Sequence, residues 1–116
     1  MHRQLAPHEE CKLIRCTRGS IYAVALDLRR ESPTFGQWLG SELTEQSHKS
    51  LWVPGGFAVG YQTLEDSSEI LYLISEFYFP NSEKGIRYDD PVFRIEWPMK
   101  VTVISEKDLS WPDYQE

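Results

Sequence analysis

Residues 12–28 read KLIRCTRGSIYAVALDL. The apolar pattern in this stretch runs nearer to a period of two than to the 3.6 of a helix, which predicts strands. Gly19-Ser20 stands between two strand-like runs, residues 12–18 and 21–28, and predicts a hairpin. The same reading extends outward. FGQWLGSEL (residues 35–43) alternates again, and Leu51-Trp52-Val53 is stopped by Pro54-Gly55-Gly56. FAVGYQTL (57–64) follows, then an acidic turn at 65–68. ILYLISEFYF (70–79) is the longest apolar, aromatic-rich run and reads as a central strand. Residues 80–91 read as a charged loop, 92–97 and 101–105 as two short strands, and the tail after Pro112 as frayed. No segment carries a capped helical face. About seven or eight short strands with Gly and Pro turns predict an all-β antiparallel sandwich or barrel. Alternate residues such as Leu13, Val24, Leu26, Phe57 and Tyr72 are expected to line its interior.

The 116 residues fit one domain, 1–116, large enough to hold a core without a disulfide or metal. The formal net charge is -6, and no basic patch interleaves with aromatics, so no nucleic-acid partner is expected. Cys11 and Cys16 are five apart, which on a strand puts them on opposite faces and suits neither a disulfide nor a zinc knuckle. No signal-peptide pattern opens the chain, and no apolar run approaches a membrane span, so no membrane partner is expected and the reading is a soluble, cytoplasmic protein.

Eight stretches then resemble one family in order and spacing. They are His2 in MHRQ, KLIRC (12–16), DLR (27–29), SPTFGQW (32–38), LWVPGGFAVG (51–60), GIRYDDP (85–91), IEWP (95–98) and SEKD (105–108). Together they resemble the dTDP-4-dehydrorhamnose 3,5-epimerase family. The resemblance implies a cupin-like jelly-roll barrel, a homodimer, and cofactor-independent epimerisation of a dTDP-linked 4-keto-6-deoxy sugar. Carried over by position, His2 matches the family's base, Asp108 its paired carboxylate and Tyr72 the acid on the opposite face. Lys12 matches a lysine facing the keto sugar, and Tyr78 an aromatic near the ligand. Three positions depart from the family pattern. Arg3 replaces a tyrosine, Ala23 an aspartate, and Val59 an active-site histidine. The family also has a long segment ahead of the histidine, whereas His2 is the second residue here. The expectation is therefore a single truncated domain, with nucleotide binding and assembly put in question.

The chemistry suits these residue types. A proton next to a ketone is acidic because the carbanion's charge spreads onto the carbonyl oxygen. Its removal needs a base titrating near neutrality, an acid on the other face and a donor at the enolate oxygen. Histidine, tyrosine and lysine fill those roles, and a carboxylate behind the histidine sets its tautomer. Each residue alone has a plainer reading: His2 as a solvated terminal residue, Asp108 as a turn or cap, Tyr72 as core filling. No metal is expected, because a cupin metal site needs several converging histidines and only His2, His8 and His48 exist. A rival from another class stays open: a truncated, non-catalytic barrel that binds a sugar nucleotide or a protein partner.

Overall fold

The computed structural model describes residues 1–115. Among the described residues eight strands form, all paired antiparallel: β1 (His2–Gln4), β2 (Lys12–Arg18), β3 (Ser20–Asp27), β4 (Trp38–Thr44), β5 (Ser50–Val53), β6 (Phe57–Thr63), β7 (Glu69–Ile74) and β8 (Glu83–Gly85). Helix among the described residues is confined to a 3-10 turn at Pro80–Ser82 and one four-residue helix, α1 (Glu106–Leu109). One sheet has the order β4-β3-β6-β1-β8 and the other β5-β2-β7. The expected antiparallel jelly roll is what the chain adopts. No helix among the described residues is long and apolar enough to cross a membrane.

The hairpin expected at Gly19-Ser20 does not form. β2 pairs with β5 and β7, while β3 pairs with β4 and β6, so the chain changes sheets at this corner. Gly19 has φ +78, and a Cβ there would collide with Ser68, whose hydroxyl also bonds the Ser20 backbone. The corner lets Ile14 and Cys16 of β2 face Ile21, Ala23 and Ala25 of β3 across the sandwich, in a core completed by Leu43, Val53 and Val59. A flat hairpin would have laid both sets on one surface.

The expected interior needs sorting by face. Leu13 points away from the core, against Trp52 and Leu73 on the outer surface of the smaller sheet. Val24 and Leu26 are fully buried, but in a second core on the other face of the larger sheet. The cover there is the irregular segment 86–114, which lays Ile86, Phe93, Ile95, Trp97 and Tyr114 over that face. Phe57 and Tyr72 are partly buried against the first core.

Residues 92–97 and 101–105 are not strands. Asp90 bends the first of them: its carboxylate accepts from Val92 N at 2.9 Å, its backbone carbonyl accepts from Phe93 and Arg94, and Arg94 has φ 52. The aromatic spacing that reads as alternation serves side-chain burial without a ladder. The tail is tied down as well, since Tyr114 N donates to Asp90 at 2.8 Å and its ring meets Phe93 and Phe35. Glu116, the end of the expected frayed stretch, lies outside the described residues. The long run 70–79 is also shorter than expected. β7 stops at Ile74, pairs only with β2, and is an edge strand rather than a central one. Ser75 caps it by exchanging bonds with Cys11, and Phe77 beyond it is 84% exposed.

One turn is unusually well tied. Asp27, 1% exposed, ends β3 and accepts from the Arg29 backbone and guanidinium and from the hydroxyls of Ser32 and Thr34. The Arg29 guanidinium above all, then the hydroxyls, hold its carboxyl far below the usual range against the cost of burial. Arg29 in turn lies over the Phe57 ring at 4.7 Å, with its stem beneath Gly56.

Candidate active site

A cleft of about 840 Å³ is lined by residues of β1, β6 and β7 and by the irregular residues 99–105. Lys12, Tyr72, His2 and Asp108 line it together. These four come from β2, β7, β1 and α1, so the cleft gathers residues up to 106 positions apart.

His2 sits near the chain's start and is nonetheless held on both sides by ladders. Its partners are Val59 on β6 and Gly85 on β8. Its imidazole, about one third exposed, has both nitrogens engaged. Nε2 lies 2.5 Å from Asp108 Oδ1, and Nδ1 lies 3.0 Å from Glu83 Oε2. Trp111 packs edge-on against the ring, centroids 5.8 Å apart at 85°. The tryptophan fits there because Gly85 has no side chain; a Cβ at this position would run into the indole. Gly85→Ala should therefore displace Trp111 and loosen His2, with a cost of about 1–3 kcal/mol of overpacking. A lowered melting temperature with altered tryptophan emission would register this, and an unchanged melt would contradict it.

Asp108 is both a cap residue and a site residue. Ser105 Oγ accepts from its backbone N at 3.1 Å and donates to its Oδ2 at 2.9 Å, which turns its other oxygen toward His2. Burial would raise its carboxyl, but the bonds from Ser105 and His2 outweigh it and hold the group below its ordinary value. Lys12 is buried; its ammonium donates to the His2 carbonyl at 3.3 Å and pairs with Glu10 at 3.3 Å. Tyr72 faces Tyr61 across the cleft, ring centroids 6.1 Å apart. Burial, then the neighbouring Tyr61, pushes its phenol well above the ordinary value, so the hydroxyl stays protonated across the physiological range.

Tyr78 stands apart. It is 61% exposed and does not line the cleft; its hydroxyl reaches Glu83 Oε1 at 3.3 Å. Val59 does line the cleft, opposite His2 in register, and makes that wall apolar. Among the described residues no group of three or more His, Cys, Asp and Glu is placed to hold a metal ion.

Glu83 is the site residue that sequence reasoning missed. It lies in β8, a three-residue strand with no apolar alternation, inside a stretch that reads as a charged loop. The only signal was its position two residues ahead of the family-like stretch 85–91. Its carboxyl is opposed by burial, yet held below the ordinary value by bonds from Lys107 at 2.6 Å and from His2.

Comparisons with known proteins agree with this architecture. The family model described as dTDP-4-dehydrorhamnose 3,5-epimerase matches residues 1–116. The protein of that name from Sinorhizobium fredii is 44% identical over 113 residues, which are 97% of this chain and 58% of the relative. A crystal structure of the Elizabethkingia anophelis protein of that name superposes with TM-score 0.95 at 34% identity, covering 97% of this chain and 63% of the other. A Legionella pneumophila dTDP-6-deoxy-D-glucose-3,5-epimerase, solved in complex with dTDP-4-keto-L-rhamnose, gives TM-score 0.88 at 35% identity, over 99% of this chain and 67% of the other. The chain thus spans about three fifths of the length of curated relatives it matches, 58% of the Sinorhizobium fredii protein and 61% and 62% of those from Shigella flexneri and Salmonella typhimurium. With a match along its whole length and the fold in common, the chain belongs to the dTDP-4-dehydrorhamnose 3,5-epimerase family.

Proposed function

We propose that this cleft epimerises a nucleotide-linked, dTDP-type 4-keto-6-deoxy sugar, without a cofactor, at C3, C5 or both. The observation that carries the reading is that His2, bonded to Asp108, lines the same cleft as Tyr72 and Lys12. His2 removes the proton on the carbon next to the ketone. The electron pair of that C–H bond moves into an enolate, and the positive charge of Lys12 offsets the charge on the enolate oxygen. Tyr72, kept protonated by its surroundings, returns a proton to the same carbon from the other face. Removal on one face and delivery on the other invert the centre. The Legionella relative's bound ligand supports a dTDP-linked keto sugar as the substrate class. Apolar Val59 beside His2 narrows the set of groups able to move protons on that wall, which favours inversion at a single carbon.

Incubation with a dTDP-4-keto-6-deoxy sugar in heavy water, followed by proton NMR, tests this reading. Loss of signal at C3 or C5 is the expected result, carbon by carbon. No loss at either carbon would leave the chain a binding barrel, for a sugar nucleotide or a protein partner.

Assembly as a homodimer belongs to the same proposal. Both edges of the smaller sheet, β5 and β7, are open, and its outer face shows Trp52 at 60% and Leu73 at 56% exposure around Leu13. Open edges and an apolar sheet face favour pairing with another chain. Light scattering at micromolar concentration should return twice the chain mass, and a monomer mass would refute it. A cytoplasmic setting is likewise proposed, consistent with Cys11 and Cys16 both standing free.

A further inference from the structure

We infer that Gln4 is a positioning residue that sets the gap between His2 and Tyr72, by fastening two chain crossings between the sheets to the strand that carries His2. This rests on the proposed roles of those two residues as base and acid. His2 stands on β1 of the larger sheet and Tyr72 on β7 of the smaller, so base and acid belong to different sheets. Inversion needs one sugar carbon within proton-transfer reach of both. The separation of the sheets at this end of the sandwich therefore enters the chemistry directly. Residues 5–11 carry the chain from β1 to β2, and residues 75–82 carry it from β7 to β8, so both segments cross between the sheets.

The Gln4 side chain is buried where those crossings meet, on the same face of β1 as His2. Its Nε2 donates to the His8 carbonyl at 2.8 Å and to the Phe77 carbonyl at 3.1 Å, and its Oε1 accepts from Phe79 N at 2.7 Å. Two carbonyls and one N–H fix which way the amide points. Residues 75–79 belong to no strand. The bonds to Phe77 and Phe79 grip them on both sides of Tyr78, as a neighbouring strand would. The bond to His8 grips the other crossing. The crossings also hold each other: Ser75 exchanges bonds with Cys11, and the His8 ring stacks on Phe79 with centroids 3.5 Å apart. Gln4 fastens that joined pair to β1, two residues from His2. Lys12 spans the sheets as well, donating to the His2 carbonyl at 3.3 Å. An ammonium on a flexible four-carbon stem follows a gap, whereas a short planar amide with its bonds filled acts as a strut of fixed length.

The test is the ratio of inversion to deuterium exchange at one carbon, both read by proton NMR on a dTDP-4-keto-6-deoxy sugar in heavy water. Gln4→Met keeps the volume and removes all the amide's bonds. Gln4→Asn keeps the amide on a stem one methylene shorter. In both, His2 should still take the proton while Tyr72 stands out of line. The enolate is then reprotonated from the base side, so exchange continues and inversion falls about tenfold or more relative to it. A loss of folded protein lowers both rates together and leaves the ratio alone, which separates positioning from stability. Gln4→Asn is the milder change and carries the test if Gln4→Met does not fold. A wild-type ratio in the folded variants would overturn the assignment. Crystal structures of wild type and variant without substrate give the second reading: the distance from the His2 ring to the Tyr72 hydroxyl should change by roughly 0.5 Å or more. An unchanged distance would overturn the assignment whether or not the wild-type protein exchanges any proton. Failure of the epimerase reading and failure of this one therefore give separate results.

Discussion

His2→Asn should abolish deuterium exchange into the keto sugar at every carbon the wild-type protein labels. Asparagine preserves a polar side chain in the cleft but has no nitrogen able to take up a proton near neutrality. The positioned base is expected to contribute about 10²–10⁴ in rate. The neighbours should fail differently. Asp108→Asn keeps the shape beside the ring yet removes the charge that steadies the protonated form, so exchange slows without vanishing. Tyr72→Phe leaves His2 and its carboxylates untouched and removes only the donor across the cleft. Exchange should then persist at the base-side position while inversion is lost. Proton NMR in heavy water separates the three patterns in one experiment. Exchange surviving in His2→Asn would mean that another group in the cleft is the base.

Asp27→Asn should be the most damaging conservative change in the scaffold. The buried carboxylate gathers the Arg29 guanidinium and backbone and two hydroxyls around one turn. An amide cannot accept all of these, and its own NH2 would face donors. The expected loss is about 2–3 kcal/mol, the size of a charge-assisted hydrogen bond in a buried setting. That corresponds to a melting temperature lower by on the order of 10 °C. The pH dependence identifies the cause. Because the folded-state pKa of Asp27 is depressed, its contribution is full above the unfolded value near 3.9 and fades as pH falls from there toward the folded value. Wild type and variant should therefore differ fully at pH 7 and draw together in acid below pH 4. A gap that stays constant down to pH 2.5 would mean that shape, rather than charge, sets the cost.

Which parts of this were legible in the sequence follows from what strand patterns encode. Period-two alternation in residues 12–28 and 57–64 locates strands well, because burying one face is a local demand. It does not say which sheet a strand joins. The Gly19 corner looks like a hairpin turn until the long-range partners of β2 and β3 are known. Residues 92–97 failed for a related reason: Phe93, Ile95 and Trp97 bury alternate side chains over a sheet without joining its ladder. In the cleft, the family motifs led to His2, Lys12, Tyr72 and Asp108. Glu83 escaped because nothing in a three-residue polar strand marks it. Its place is set by register with a histidine 81 residues away.

The cover over the larger sheet has a further consequence. Residues 87–114 are tied to one another by side-chain contacts, Arg87 to Asp113, Asp90 to the Tyr114 backbone and the Trp97 indole to the Tyr88 carbonyl, and to the larger sheet by Gln62, which bonds both backbone groups of Met99. Beyond Ile86, which exchanges both backbone bonds with Met1, no ladder has to break for this strap to lift. It is therefore a natural unit of subglobal opening, lower in free energy than the strands beneath it. Asp108 and Lys107 travel with it, whereas His2 and Glu83 remain on the sheet. Amide hydrogens of residues 92–105 should exchange ahead of those in β3 and β6. Under mild chemical stress the protein would lose the Asp108 carboxylate from beside His2 while its β-sheet signal is still intact.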